Sequence, residues 1–411
     1  MFDLESFLQK QVIQCACKFR IYPTEKQKEF FAKHFGCSRF VYNYLLIRTQ
    51  KAYKRRKESI SKYEAKKLIS PLKKTSKYSF LKEVNSQSLQ AAALNLGGAR
   101  ERFFRREGGF PNLKRKGGRQ TFEVPQNFSI KETSNHNHFL FIPKLKTGIK
   151  VKVHREIIGE MRHLTVVMEA DGNYYASANC RQKVYCVQVL KKQKETGFDF
   201  GVSSLLSGSD GKKIDAPRYL RKSEKKLKKD QRTHSRKKKS SKNREKSRLK
   251  LARNHTRIKN QRADFLHQTT HKIVDENQVI YLETLCPKNM MKNRPLAKSL
   301  SDAALGALLQ QIKYKAHWRG KRVVQIGRFE PSSKLCSNCG AKNNELKLHH
   351  RTWQCKVCHA SHDRDINAAI NIKKIGQDMS KSTPVERSAS GYLLVSGYLS
   401  WLNMQEAGSG S

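Results

Sequence analysis

The spacing of apolar residues changes along the chain and predicts segments of different structure. Residues 12–22 alternate roughly between apolar and polar side chains, which is typical of a strand. Thr24 is the expected N-cap of a helix, because apolar residues follow it at helical spacing. The same spacing recurs over residues 84–106. The first hundred residues are therefore predicted to hold one strand and a largely helical block.

Between residues 118 and 195 the pattern becomes that of short strands. Runs such as TFEVPQNFSI and LTVVMEADGNYYASANC are rich in β-branched and aromatic side chains, and Asp171-Gly172 is a predicted hairpin turn. A small β-barrel is the simplest arrangement of these strands. Because a strand also precedes the helical block, we expect that block to be inserted after the first strand of the barrel.

The second half of the chain predicts a further mixed region that carries carboxylates at element ends. GFDFGV predicts a strand with Asp199 inside it, followed by a hairpin that turns at residues 209–211. QVIYLETL predicts a short buried strand ending at Glu283, and Leu300–Trp318 predicts an amphipathic helix. Asp365 comes in the first turn of a last predicted helix. Since a buried, unpaired carboxylate is costly, Asp199 is expected to be paired or to hold a metal.

Residues 221–262 contain 20 Lys or Arg and three acidic residues, with almost no apolar stripe. Such a helix either stays partly disordered until a polyanion neutralises it or forms one wall of a nucleic-acid channel; a solvated face is the simpler alternative. We expect phosphate contacts here from Lys237, Lys238, Lys239, Arg244 and Arg248. Ser86 and Gln90 lie four residues apart on a predicted helix face that could reach base edges, although a plain polar face would look the same.

The composition points to a polyanionic partner. The 84 Lys and Arg residues outnumber 34 acidic ones, giving a formal charge of +50. Nucleic acid is favoured over a membrane surface, because no run of 18 apolar residues and no basic amphipathic anchor is present. No small-molecule substrate is expected. The N-terminus lacks a signal-peptide pattern, so a cytoplasmic, nucleoid-associated protein is expected.

Four cysteines follow the spacing of a zinc ribbon. Cys336, Cys339, Cys355 and Cys358 form the pattern C-x2-C-x15-C-x2-C, which suits four thiolates around one tetrahedral zinc ion. The alternative is two disulfides, which a reducing compartment disfavours. With all four positions filled by protein, the zinc is expected to be structural. The remaining cysteines are expected to be small buried apolar residues, namely Cys15, Cys17, Cys37, Cys180, Cys186 and Cys286.

The three acids follow the order of an RNase H-like nuclease. Asp199 lies in a first strand before a hairpin, Glu283 ends a later strand and Asp365 opens a terminal helix. Carboxylates in these positions can converge on two magnesium ions, which take oxygen ligands and catalyse in-line phosphodiester hydrolysis. The cysteines do not suit those ions.

These residues make nearly the whole chain resemble the TnpB family, the RNA-guided nucleases of insertion sequences that are related to type V CRISPR effectors. The resemblance is carried by the segments RIYPTEKQ, SRFVYNYLL, GFPNLKRKG, GFDFGV, YLETL, the two Cys-x-x-Cys pairs and HDRDINAA. It implies a RuvC-type nuclease domain whose three catalytic acids match Asp199, Glu283 and Asp365, although Asp363 also lies in the last motif. It further implies a guide RNA from the protein's own mobile element and cleavage of double-stranded target DNA beside a short transposon-adjacent motif.

The expected fold is therefore α+β and multidomain. It comprises a wedge β-barrel (residues 1–20 and 118–195) with an inserted helical recognition domain (21–117). A RuvC domain (196–330 and 360–378) with an inserted zinc ribbon (331–359) follows. Residues 379–411 are expected to be a poorly ordered tail ending in a cloning remnant. Two departures stand out: His359 occupies a position where the family commonly has glycine, and residues 1–10 extend beyond the usual start.

Two other functions remain open at the level of sequence. One is an RNA-guided DNA-binding repressor that does not cleave, which the presence of all three acids disfavours. The other is a guide-free zinc-ribbon DNA-binding accessory of transposition, for which the same positive charge would serve. RNA bound to the purified protein would exclude the second.

Overall fold

A computed structural model describes residues 8–188, 194–201, 204–328, 330–347, 350–382 and 392–394. The chain divides into two compact units. The first unit contains Val12–Lys183 and Arg248–Arg253, and the second contains the remainder of the described chain. This division does not decide the finer domain boundaries expected from the sequence, which stay a prediction.

One sheet contains the strands of the first unit, and each strand pair whose register is described there is antiparallel. Its strands lie in the order β2-β6-β7-β1-β5-β4-β3, so that β2 and β3 are its edges among the described strands. The predicted barrel is thus present as a half-barrel. The turn between β6 and β7 contains Gly172 in the left-handed region (φ 84°), as the Asp-Gly pair predicted. The strands are β1 (Leu8–Tyr22), β2 (Gln120–Val124), β3 (Ser129–Glu132), β4 (His138–Phe141), β5 (Ile149–Lys152), β6 (Glu160–Met168) and β7 (Tyr174–Gln188).

The helical block is inserted between β1 and β2, as expected. Thr24 and Gln27 form a capping box at the start of α1, which continues without a break to Arg56. Leu45, Leu89 and Leu96 are fully buried in the core between the helices. The elements are α1 (Glu25–Arg56), α2 (Lys62–Lys67), α3 (Ile69–Lys74), a 3₁₀ helix (Ser76–Lys82) and α4 (Ser86–Phe104).

The second unit is built on a five-stranded sheet with the order β10-β9-β8-β11-β12. The first three strands are antiparallel, whereas β8, β11 and β12 run parallel. This is the RNase H-like arrangement predicted from the order of the acids. The strands are β8 (Glu195–Phe200), β9 (Ser204–Gly208), β10 (Lys213–Asp215), β11 (Val279–Glu283) and β12 (Arg322–Ile326).

The helices of the second unit correct two predictions. The basic segment is two helices, because residues 236–241 interrupt it and Ser240 takes a left-handed conformation (φ 66°). The predicted helix Leu300–Trp318 is divided at Ala304, which also has a positive φ (52°). The basic segment has almost no apolar stripe, and apolar spacing continues across Ala304, so periodicity could locate neither break. The helices are α5 (Tyr219–Ser235), α6 (Lys242–Glu276), α7 (Pro287–Met290), α8 (Arg294–Ala303), α9 (Leu305–Trp318) and α10 (Arg364–Ser382).

Two small elements complete the described chain. The hairpin β13 (Thr352–Gln354) and β14 (Ser361–Asp363) leads directly into α10. A last strand, β15 (Tyr392–Leu394), pairs with the end of β7. No helix in the described ranges is both long and apolar enough to span a bilayer.

The cysteines outside the zinc-ribbon pattern follow the prediction only in part. Cys17, Cys37 and Cys180 are buried, as expected. Cys15 and Cys286 are only partly buried, and Cys15 packs at the margin of the sheet core. The side chain of Cys186 falls outside the described residues.

Candidate active site and metal centre

Strand pairing brings Asp199 and Glu283 to the same level of the central sheet. Leu282 of β11 pairs with Phe198 of β8 in parallel register, so the next residue on each strand is one of the two acids. Residues at one level of adjacent parallel strands point to the same face of the sheet. Both carboxylates therefore lie side by side at the carboxyl end of β11.

Helix α10 supplies the third acid because it packs directly against β8. A Cβ at Gly197 would collide with the backbone carbonyl of Ala369, so the helix and the strand are closer than most side chains allow. Asp365 lies one turn before Ala369, in the first turn of α10. Close packing at Gly197 thus sets the distance from Asp365 to the two acids on the sheet.

The three carboxylates interact electrostatically. Burial, and after it the negative charges of Glu283 and Asp365, together raise the pKa of Asp199 to about 7, against smaller opposing effects of the Phe200 backbone N–H and Arg364. Burial also raises the pKa of Glu283. Like charges gathered in a partly buried place disfavour ionisation unless a cation is present. The site therefore has the electrostatics of a cation-binding cluster.

Asp363, and not Asp365, caps helix α10. The Asp363 Oδ1 atom accepts hydrogen bonds from the backbone N–H groups of Asp365 and Ile366, each at 3.1 Å. Its other oxygen accepts from Lys213 Nζ. Although burial raises the pKa of Asp363, these donors lower it more. The capping that a lone Asp365 could have provided is thus supplied by its neighbour, which leaves the Asp365 carboxylate available.

Two arginines lie close to Asp365. The Arg351 guanidinium is 3.9 Å from Asp365 Oδ1 and is 61% exposed, so it could turn towards solvent or towards a phosphate. Arg364 donates to the backbone carbonyl of Lys347 and is held there. Neither arginine was singled out from the sequence, because basic residues are frequent throughout this chain.

The four predicted zinc ligands form a compact cluster. Their sulfur atoms all lie within 4.8 Å of one another, with 3.6 Å between Cys336 and Cys358 and also between Cys339 and Cys355. A tetrahedron with zinc–sulfur bonds of about 2.3 Å has edges of about 3.8 Å. The cluster fits one zinc ion, and no disulfide joins these cysteines.

Within the described ranges, this cysteine cluster alone brings at least three potential ligand atoms that close together. The three carboxylates are spaced more widely than one shared ion would require. Two ions placed about 3.5–4 Å apart need ligands that are spaced more widely, because a carboxylate can then bind one ion without reaching the other. The wider spacing is compatible with the two-magnesium prediction, which itself stays a prediction.

The two Cys-x-x-Cys turns share one backbone geometry. In each turn an N–H group donates to the carbonyl of the first cysteine, from Gly340 to Cys336 and from His359 to Cys355. Gly340 and His359 both take positive φ, at 78° and 56°. The tight turn is therefore retained despite the replacement of glycine by His359, at a cost of about 1 kcal/mol for a non-glycine residue in this conformation.

Hydrogen bonds around the sulfurs favour thiolates in the second turn. The Ala360 backbone N–H and the Asn338 side chain lower the pKa of Cys358 to about 6. The Ala341 N–H lowers the pKa of Cys339, but burial and the neighbouring sulfurs raise it to about 12 overall. His362 adds a contact of 3.0 Å from its Nε2 atom to Cys336 Sγ. Four thiolates cannot be charged together without a cation, which agrees with the expected zinc ion.

Asn367 and Asn371 attach the cysteine cluster to α10. The Asn367 Oδ1 atom accepts from the Ser337 N–H, and its amide donates to the Leu335 carbonyl. One turn later, Asn371 donates to the carbonyls of Ser332 and Leu335. Both side chains are almost fully buried, so the helix that carries Asp365 is fixed to the first cysteine turn. Two asparagines four apart in an apolar helix were a signal that sequence reasoning left unused.

Ser86 and Gln90 lie on one half-buried face of α4 in the first unit. Ser86 is the first residue of the helix, and its Oγ accepts from Lys73 Nζ at 2.6 Å. Burial and the nearby charges of Lys144 and Lys82 lower the pKa of Lys73. This end of the helix is thus rich in positive charge. Base contacts by Ser86 and Gln90 remain a prediction.

The five basic residues predicted to contact phosphates have different surroundings. Lys237, Lys238 and Lys239 are exposed in the connection between α5 and α6. Arg244 donates to the carbonyls of His234 and Lys237 and so closes the end of α5. Arg248 donates to the carbonyl of Ala170 at 3.0 Å. The lysines are available to phosphates, whereas the two arginines also hold the fold together.

Comparison with known families agrees with these features. A family model described as "Probable transposase" matches residues 163–294, and one described as "Cas12f1-like, TNB domain" matches residues 306–372, which include the cysteine cluster. A model described as "Helix-turn-helix domain" matches residues 13–58. In this structure those residues form β1 and the single long helix α1.

Curated relatives match over most of the chain. A protein of Streptomyces pristinaespiralis named "Putative RNA-guided DNA endonuclease" is 36% identical over 89% of this chain and 90% of its own length. The InsQ protein of Escherichia coli, with the same description, is 29% identical over 88% of this chain and 92% of its own length.

A solved structure shares the fold. The cryo-EM structure of a Cas12f1–sgRNA–target DNA complex contains a chain that matches with a TM-score of 0.57 and 16% identity. The match covers 85% of this chain and 83% of that chain. At 16% identity the match shows similarity of fold only. The long matches to curated relatives, together with the transposase and TNB models, show that the chain belongs to the TnpB family.

Proposed function

We propose that this protein is an RNA-guided DNA endonuclease that cleaves target DNA by two-metal phosphodiester hydrolysis. Its guide would be an RNA from its own mobile element, and its target would lie beside a short transposon-adjacent motif. The names of its relatives support the activity. The observation that carries the chemistry is the placement of the acids: parallel register brings Asp199 and Glu283 to one level of the sheet, and Asp365 lies in the first turn of the helix that packs against β8.

Asp199, Glu283 and Asp365 would hold the magnesium ions. Bound magnesium would supply an activated water and stabilise the charge on the leaving oxygen. Backbone contacts position the three acids. The parallel pairing of β8 and β11 places Asp199 and Glu283 at one level, and the Asp363 cap fixes the start of α10. Arg351 is the exposed cation next to Asp365 and is suited to contact the phosphate beside the cut.

The test replaces each acid by alanine in the full chain and measures cleavage of a target duplex with the cognate guide. We expect each of Asp199→Ala, Glu283→Ala and Asp365→Ala to abolish cleavage while guide and target binding stay within about threefold of wild type, since other residues bind the phosphates. The matched control is Asp378→Ala, an exposed acid on the same helix as Asp365. Cleavage by Asp365→Ala at the wild-type rate would refute the assignment.

Purified protein also separates this function from a guide-free DNA-binding accessory. We expect nucleic acid that copurifies with the protein to be removed by ribonuclease and not by deoxyribonuclease. An RNA-free protein that binds duplex DNA as tightly as the RNA-loaded form would contradict the guided mechanism. A protein that binds RNA and target but leaves the duplex intact with all three acids present would instead be a guided repressor.

A further inference from the structure

An aromatic cleft lies on the helical block of the first unit, away from Ser86 and Gln90 in sequence. It has a volume of about 490 Å³ and lies between the last turns of α1, the end of α4 and the loop that follows. Its walls include four aromatic rings and two basic side chains: Tyr53, Phe103, Phe104, Phe110, Lys54 and Arg100. This volume falls within the roughly 300–1,000 Å³ of small-molecule sites.

The aromatic rings of this cleft are held in place but not covered. Phe103 is half-buried and makes edge-to-face contacts with Phe104 at 5.4 Å and Phe110 at 5.1 Å. By contrast, Phe104 is 63% exposed, Tyr53 is 52% exposed and Phe110 is 42% exposed. Three exposed rings around one cleft form an apolar patch of the kind that marks a binding site.

The positive charge around the cleft favours a polyanionic ligand. Residues 50–57 and 100–107, which border it, contain nine Lys or Arg and two Glu. Two copies of such a surface would repel each other, whereas a polyanion would be attracted. Arg100 is fixed by its hydrogen bond to the carbonyl of Ile60 at 2.7 Å, while Lys54 is exposed at the rim. Aromatic faces next to cations are how proteins bind single-stranded nucleic acid, by stacking on a base and contacting its phosphate.

We propose that this cleft binds an unpaired base of the guide RNA, stacked on Phe104 or Phe110, with Lys54 on the adjoining phosphate. The choice of RNA rests on the proposed function. A target duplex and a guide–target duplex keep their bases stacked on one another, so these rings need unpaired bases. The loops and bulges of a folded guide offer such bases before any DNA strand is displaced. The cleft would then help to recognise the folded guide and would take no part in cleavage.

The test compares substitutions of exposed rings in the full chain. The probe is a fluorescein-labelled RNA of ten adenylates, whose binding is followed by anisotropy. We expect Phe104→Leu to weaken binding by about fivefold or more, because one base–aromatic stack contributes a factor of about five to 150. Phe104→Trp should bind at least as tightly as wild type. Since Phe104 is mostly exposed, thermal unfolding should change little in either variant.

Tyr63→Leu is the matched control. Tyr63 is also 63% exposed and lies beside a lysine, with Lys62 Nζ 5.5 Å from its ring centre, but it does not line the cleft. We expect Tyr63→Leu to change the affinity by less than about twofold. The salt dependence of binding should be the same for Phe104→Leu and wild type, because stacking releases no counterions. A flattened slope would show that the ring acts only by positioning cations.

Each alternative outcome has its own meaning. If wild-type protein binds the RNA and cuts guided targets but Phe104→Leu binds equally well, the cleft proposal is wrong and the proposed function stands. If wild-type protein binds no RNA, both fail. An equal loss of affinity for a DNA of ten deoxyadenylates, with guide binding unchanged, would assign the cleft to a DNA strand instead. Dissociation of a dimer by Phe104→Leu in sedimentation would assign it to a second copy of the chain.

Discussion

Lys213 Nζ lies 2.7 Å from Asp363 Oδ2, and this ion pair joins the edge strand β10 to the residue just before the helix that carries Asp365. The other oxygen of Asp363 caps the same helix. One side chain therefore connects the sheet edge with the end of α10 that carries Asp365. Both partners are about one third exposed, so the ion pair itself should contribute little, whereas the cap should contribute about 1 kcal/mol.

Replacing Asp363 separates these two roles. We expect Asp363→Ala to lower the free energy of unfolding by about 1 kcal/mol and to slow cleavage, because the first turn of α10 loses its cap. Asp363→Asn keeps a capping oxygen and should retain most of the cleavage rate. Urea unfolding and single-turnover cleavage measure the two effects. If Asp363→Asn is as inactive as Asp365→Ala, then Asp363 has a direct role in the chemistry that capping does not explain.

The raised pKa of Asp199 predicts how the stability of the magnesium-free protein depends on pH. A carboxyl whose pKa rises from about 4 in the unfolded chain to about 7 in the folded protein binds more protons when folded. The free energy of unfolding should therefore fall as pH rises from about 4 to about 7, by at most roughly 4 kcal/mol from this group. Asp199→Asn should remove this part of the dependence.

Urea unfolding of zinc-loaded protein at about pH 5 and about pH 8 measures the effect, without a chelator that would remove the zinc. We expect Asp199→Asn to be more stable than wild type at both pH values and by a clearly larger margin at the higher, because only part of the loss has occurred by about pH 5. Added magnesium should stabilise wild type at the higher pH and leave Asp199→Asn almost unchanged. If the free energy of unfolding depends on pH in the same way for both proteins, Asp199 ionises in the folded state without loss of stability, and its raised pKa is contradicted.

Loss of zinc should reduce cleavage even though the cysteines take no part in the chemistry. Cys358→Ser removes one of four sulfur ligands, so the metal content should fall from one zinc per chain towards none. Because Asn367 and Asn371 attach α10 to the first cysteine turn, disorder there should also displace Asp365. Elemental analysis and cleavage rates test both steps. Cys286→Ser, outside the cluster, is the control and should keep both zinc and activity.

The lysines and arginines of the α5–α6 region should respond differently to substitution. Changing Lys237, Lys238 and Lys239 to Gln should weaken binding of every guide and target alike and lower the salt slope, by about 0.9 for each duplex phosphate that these lysines no longer neutralise. Their exposure predicts unchanged stability. Arg244→Gln and Arg248→Gln should instead each cost about 1 kcal/mol of stability, because each arginine donates to backbone carbonyls.

Filter binding across a salt series and urea unfolding distinguish the two sets. If the triple lysine variant keeps the full salt slope and affinity of wild type, the connection between α5 and α6 is a solvated surface. If Arg248→Gln is as stable as wild type, its hydrogen bond to the Ala170 carbonyl contributes nothing measurable.

The sequence by itself determined the features that depend on local pattern. Alternation and helical spacing predicted the strands, the helical insertion and the Thr24 cap, because side-chain direction follows directly from backbone period. Four cysteines in two close pairs were enough to predict their cluster, since each pair brings two sulfurs together within a single turn. The breaks at Ser240 and Ala304 escaped prediction, because each depends on one residue in a left-handed conformation that neither residue type favours.

Only the tertiary structure showed how the strands, the helices and the cysteine cluster contact one another. Strand register places Glu283 at the level of Asp199, because the residues just before the two acids are paired with each other. Asp363 rather than Asp365 caps α10. Buried asparagines attach that helix to the first cysteine turn. The structure also divided the basic residues into exposed lysines and structural arginines. Each of these facts depends on contacts between residues far apart in the chain. The local sequence pattern does not predict such contacts, because strand register and side-chain packing in the folded chain determine which residues meet.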